Sequence, residues 1–143
     1  MLNHETEVVT KHVSELKNAL TLLYDLQSRE LSELKKDQHL VGSAKYHLII
    51  AIESAVDISN HLISKNNYRV PESYSDTFKV MAEKNILPQD LVEEKLTDMA
   101  RFRNRLVHIY WDIDSEMLYQ IIQENLNDLE QFLVEIKKAL KKD

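Results

Sequence analysis

The segment Arg101-Phe102-Arg103-Asn104-Arg105-Leu106-Val107-His108-Ile109-Tyr110 places three guanidiniums, a carboxamide, an imidazole and a phenol within ten residues. These groups suit phosphate chemistry. Guanidiniums bind and neutralise phosphoryl oxygens. Imidazole takes up and gives back protons near pH 7. The cluster is local, because the chain as a whole carries a formal net charge of −6. The plain alternative is a solvated helix end with a histidine cap.

The apolar residues around these groups say how they must be held. Val92, Leu96, Met99, Arg103, Leu106 and Tyr110 step by four, three, four, three and four residues. That is one face of a helix over about 89–108. Arg103 therefore falls in the middle of an apolar stripe, where an unpaired guanidinium is costly. Either a carboxylate pairs with it or the stripe borders a cleft. Glu53 and Asp57, one turn apart on an earlier helix, are the candidate partners, although both lie off that helix's own apolar stripe. Asn104 and His108 are i,i+4 neighbours whose side chains can meet. Arg103 and His108 lie about 140° apart on an ideal helix. They converge only if the helix end unwinds or a facing subunit contributes.

The remaining chain reads as more helix. Val9, Val13, Leu16, Leu20 and Leu23, resumed by Leu31 and Leu34, predict a long helix over 3–36, with a break or bend at Asp37 and Gly42. Leu40, Ala44, Leu48, Ala51, Ala55, Ile58 and Leu62 predict a second over 39–66. Ser73 suits the cap of a short helix over 74–84. Pro88 and Asp90 suit the start of the helix that carries Arg103. Trp111–Asp114 reads as a turn, with Asp114 as the cap of a last helix to about 140. Its inward residues are Leu118, Ile122, Leu126, Leu129, Leu133, Ile136 and Leu140, and the lysines at its end suit the helix dipole. No strand pattern or internal repeat appears. The expected architecture is all-α: an antiparallel bundle of four longer helices plus one short one, in a single domain over 1–143.

Composition removes several classes of function. One glycine in 143 residues excludes Gly-rich phosphate loops. The absence of cysteine excludes disulfides and thiolate metal sites. Glu53, Asp57 and His61 at i, i+4 and i+8 outline a metal face, but nothing else completes a ligand set, so no metal or other cofactor is expected. The first residues have no basic segment leading into an apolar run, and no stretch approaches the ~18 apolar residues of a membrane span. A cytoplasmic protein with no membrane association is expected. The acidic balance argues against broad nucleic-acid coating, yet it allows a small basic cleft.

Arg103-Asn104-Arg105-Leu106-Val107-His108-Ile109-Tyr110 resembles the RN-x-x-x-H-x-Y signature of HepT-like toxins in the HEPN superfamily. Ile50-Ala51-Ile52-Glu53 with Asp57, Pro71 to Tyr74, Phe78, Ile86-Leu87 and Met99 extend the likeness over roughly residues 40–135. Arg101 also fits a looser Arg-x-His spacing, but the asparagine that follows Arg103 favours Arg103. The resemblance implies a HEPN-like, dimeric, metal-independent ribonuclease that cuts RNA through its 2′-hydroxyl. Arg103 and His108 would be catalytic, with Asn104, Glu53 and Asp57 in support. It further implies a toxin–antitoxin pair, in which a minimal nucleotidyltransferase antitoxin transfers AMP onto Tyr110. The alternative is a non-catalytic HEPN module that binds a nucleotide or a nucleotidyltransferase partner.

Overall fold

The computed structural model describes residues 4–108 and 113–141. It is a helical bundle, with no strand among the described residues. The elements are α1 His4–Gln27, α2 Leu31–Lys36, α3 Gln38–Lys65, α4 Tyr74–Glu83, α5 Gln89–Leu91, a π-helical turn Val92–Leu96, α6 Thr97–His108 and α7 Ser115–Lys141.

The expected first helix is broken in two. The Ser28 hydroxyl donates back to the Asp25 carbonyl at 2.6 Å. Glu30 and Glu33 then exchange side-chain and backbone bonds in a reciprocal cap that starts α2. The break lets Leu34 turn into the core. Asp37 is the cap of α3, accepting from the His39 amide at 2.9 Å. Gly42 lies within α3 and marks no bend. Ser73 and Asp114 cap as expected: Ser73 accepts from the Asp76 amide at 3.1 Å and Asp114 from the Met117 amide at 2.8 Å.

α1 and α7 run antiparallel. Tyr24 donates to Glu130, Gln27 to the Ile122 carbonyl, and Tyr119 to the Arg29 carbonyl, so rising numbers meet falling ones. α3 lies at the centre, with Leu48, Ala51, Ile52, Ala55 and Ile58 fully buried. The α7 stripe is buried as expected from Leu118 to Ile136, and Phe132 meets Phe78 of α4 edge to face at 6.0 Å. Each such fully buried aliphatic or aromatic side chain contributes ~1.5–3 kcal/mol.

The helix leading to the arginine cluster is not uniform. Within it, the Thr97 amide reaches back five residues to the Val92 carbonyl. The buried pairs Leu91-Val92 and Leu96-Thr97 are accordingly five apart. Lys95 of this π turn lies 3.6 Å from Asp128, whose carboxylate is otherwise buried in α7. Asp128 also accepts from the Asn125 amide at 3.1 Å. Such turns inside α-helices recur beside functional sites.

Candidate active site

Arg103 projects from the middle of α6 toward α3 and the first residue of α4. Its side chain is 15% exposed, as its place in the apolar stripe requires. Glu53 supplies the partner. Its Oε1 accepts from Nε at 3.1 Å and also from Nη2. Asn104 Oδ1 accepts from Nη1 at 3.3 Å. The face of the guanidinium rests on Tyr74, with Cζ 4.6 Å from the ring centroid. A guanidinium has five N–H groups. Among the described residues Glu53 and Asn104 engage three of them, which leaves two.

Asp57 does not join this pair. It lies 3.9 Å from His12 of α1, and His12 also meets Glu15 at 3.4 Å. One turn of α3 points Glu53 toward α6 and the next points Asp57 toward α1. Burial holds Asp57 above the usual carboxylate range. His12 pulls it back, while Glu53 and Glu15 raise it further.

His108 is the last residue of α6 and is exposed. The helix stays α-helical through it, so the unwinding that would swing it toward Arg103 is not seen. Arg101 is exposed and pairs with Asp98 one turn back at 3.2 Å. Tyr110 and Trp111 lie outside the described residues. Sequence reasoning placed Glu53 beside Arg103 but missed Tyr74 as its stacking partner. The signal available was an aromatic residue directly after the Ser73 cap, and helix phase alone does not aim it. Among the described residues no group of His, Cys, Asp or Glu is arranged to hold a metal ion. No described helix is long and apolar enough to cross a membrane.

The class follows from the all-α bundle and from its likeness to known proteins. The chain belongs to the HepT-like family, described as ribonuclease HepT-like, whose profile matches residues 11–136. It is 32% identical over 106 residues to the mRNA nuclease HepT of Shewanella oneidensis, covering 74% of this chain and 79% of that one. Two solved structures are similar, each at 26% identity. One is a tri-AMPylated Shewanella oneidensis HEPN toxin in complex with its MNT antitoxin, with a TM-score of 0.83 over 96% of this chain and 99% of that one. The other is a toxin–antitoxin complex with AMP-PNP, with a TM-score of 0.84 over 92% and 98%.

Proposed function

We propose that this protein is the ribonuclease toxin of a toxin–antitoxin pair, acting without a metal as a two-fold dimer. The observation that carries the proposal is Arg103. It is held half-buried by Glu53 and Tyr74 with two N–H groups to spare, on the same helix that ends in an exposed His108.

RNA cleavage through the 2′-hydroxyl needs a base, an acid and a cation at the phosphorus. One imidazole takes the 2′-hydroxyl proton as the 2′-oxygen bonds to phosphorus. A second protonates the departing 5′-oxygen as the phosphorus–oxygen bond breaks. The products are a 2′,3′-cyclic phosphate and a 5′-hydroxyl. The spare donors of Arg103 meet the charge that builds on the phosphoryl oxygens. One protomer supplies one motif histidine, directed away from its own Arg103. A two-fold axis beside α6 brings the histidine of each protomer toward the arginine of the other. The local cleft is then basic although the chain is acidic.

The antitoxin is a minimal nucleotidyltransferase that silences the toxin at Tyr110. The phenol oxygen attacks the α-phosphorus of ATP and pyrophosphate leaves, so the tyrosine carries AMP. The similarity to an AMPylated HEPN toxin bound to an MNT antitoxin supports this step. Tyr110 is two residues past His108 in the sequence. A phosphate attached there would add negative charge close in sequence to the histidine that RNA cleavage needs.

The test is cleavage of RNA by the purified protein in EDTA, with product ends identified by mass spectrometry. Cyclic phosphate ends and a particle of twice 16.8 kDa are expected. Binding of RNA or nucleotide with no cleavage would leave the non-catalytic module standing. A monomer would remove the shared site. Coexpression with a neighbouring nucleotidyltransferase should add AMP to Tyr110. A Tyr110→Phe variant that is still silenced by AMP transfer would overturn the regulatory part.

A further inference from the structure

We propose that Tyr74 is a positioning residue that fixes the plane of the Arg103 guanidinium, and that a clamp on α4 fixes Tyr74 in turn. The proposal rests on the ribonuclease reading of the same site.

Glu53 holds Arg103 along one edge only, through a single oxygen that accepts from both Nε and Nη2. An edge held at one oxygen leaves the plane free to swing about it. The Tyr74 ring removes that freedom, because the guanidinium lies over its face at 4.6 Å. Stacking also leaves every N–H in the guanidinium plane and uses up none of them. A second carboxylate in the same place would neutralise the cation and engage its remaining donors.

The ring is itself built in. Tyr74 is the first residue of α4. Ser73 caps that helix through the Asp76 amide at 3.1 Å. The Thr77 hydroxyl shares its one proton between the Ser73 carbonyl at 3.1 Å and Asn60 Oδ1 of α3 at 3.2 Å, tying the first turn to the central helix. Outside, Arg69 grips Asp76 through Nη1 at 2.8 Å and Nη2 at 2.9 Å. It also grips Glu83, at the far end of α4, through Nε at 3.0 Å. Asp76 further accepts from the Glu72 amide at 2.9 Å, which binds the loop before α4 to the helix. Few routes remain by which Tyr74 can shift relative to α3. Misplacing a catalytic cation by about 1 Å can cost ~100-fold in rate. A platform that prevents this acts on the transition state more than on binding.

The experiment uses the full chain as Tyr74→Phe, Tyr74→Leu, Arg103→Ala and the Tyr74→Leu/Arg103→Ala double variant. Steady-state cleavage of a single-stranded RNA oligonucleotide is one readout. The proton shift of the Arg103 Nε–H, identified by its loss in Arg103→Lys, is the other. Tyr74→Phe keeps a ring and should retain the upfield ring-current shift and a kcat within about threefold. Tyr74→Leu keeps apolar bulk without a ring. It should lose the shift and lower kcat about tenfold, the scale of a partly desolvated cation–π contact, with KM little changed. In the Arg103→Ala background, Tyr74→Leu should add nothing. An additive effect with raised KM would make Tyr74 an RNA contact and overturn the proposal. So would an Nε–H shift that is the same in Tyr74→Leu as in the wild type. If the wild-type chain cuts no RNA, the ribonuclease reading fails. The shift then decides the placement alone: loss in Tyr74→Leu and retention in Tyr74→Phe support it, and any other pattern overturns it.

Discussion

Arg69 and Arg103 are both guanidiniums gripped by carboxylates, and they differ in what is left over. Arg69 faces two carboxylates, Asp76 and Glu83, which engage four of its five N–H groups. The cluster carries an excess negative charge, although its arginine side chain is 44% exposed. Arg103 faces one carboxylate and one ring, is only 15% exposed, and keeps two donors free of Glu53 and Asn104. Exposure alone would pick Arg69 as the anion binder, whereas the proposed function rests on Arg103. Charge balance and unused donors pick Arg103. A neutralised guanidinium on the surface is a staple. A half-buried one balanced by a single carboxylate keeps donors that, on the proposed function, would meet phosphate, and it is already desolvated on one face.

The largest separation between the two should appear in cleavage. Arg103→Ala and His108→Ala should each lower the rate by about 100-fold or more, the usual scale for a phosphate cation or a proton carrier. Arg69→Met should stay within a few-fold of wild type. Equal losses in Arg103→Ala and Arg69→Met, with both proteins folded by circular dichroism, would erase the distinction between staple and site.

Glu53 gives a second and smaller contrast. Glu53→Ala strands a half-buried guanidinium. Urea denaturation should show a loss of about 1–3 kcal/mol, the cost of an unsatisfied buried polar group, and cleavage should fall as Arg103 loses its edge contact. Glu53→Gln keeps an acceptor at the same place and should recover most of the stability. If Glu53→Ala denatures at the wild-type midpoint and cleaves at the wild-type rate, the pairing seen here has no part in holding Arg103.

How far these roles were legible in the sequence follows from what sets each one. The α3 and α7 stripes, the Ser73 and Asp114 caps and the burial of Arg103 depend on helical period and local hydrogen bonding, so spacing revealed them. Glu53 emerged because a charge in an apolar stripe must have a partner. Asp57 was a wrong companion, since residues four apart diverge when two different helices pack beside them. The break at Ser28–Glu30 was hidden because Leu31 and Leu34 resume the apolar spacing of α1 almost in phase, and a glutamate is an unusual cap. The π turn left only a five-residue step between buried pairs. Tyr74 was invisible as a platform, because the return of the loop before α4 along α3 sets its aim. Tyr110, the proposed regulatory residue, lies outside the described residues, and the sequence alone, two residues past His108, nominates it.

Acid should loosen the Arg69 clamp. Its guanidinium bonds, with the Glu72 amide adding to them, hold Asp76 down to about 2 from 3.8. Glu83 is lowered as well, chiefly by its bond to Arg69. A carboxyl held low in the folded state stabilises the protein above its unfolded value. That stability is lost as pH falls through the folded value. Thermal midpoints should therefore drop between about pH 4 and pH 2 more steeply in the wild type than in Asp76→Asn. At neutral pH, Arg69→Met should lower the midpoint only slightly, as for a solvent-screened surface cluster. Parallel acid profiles in the wild type and Asp76→Asn would show that the clamp contributes no linked stability.

The smallest effect expected is at Arg101, and it sharpens the comparison from the other side. Arg101 is on the same helix as Arg103, two residues earlier, and fits a looser spacing to His108. Among the described residues it pairs with Asp98, one turn back at 3.2 Å, and the two side chains are 64% and 68% exposed. A solvated i,i+3 pair contributes ~0.2–0.5 kcal/mol to its helix, and the charge is screened by water and salt. Among the described residues no ring stacks on it, and its side chain stands in solvent. Arg101→Ala should therefore change stability by about 0.5 kcal/mol or less and cleavage by less than about threefold. The weakening should shrink further as salt is raised, as for a peripheral charge that only assists RNA approach. A loss as large as that of Arg103→Ala, persisting at high salt, would move the catalytic cation to Arg101. Arg103, held by Glu53 and Tyr74, would then join Arg69 as a second staple.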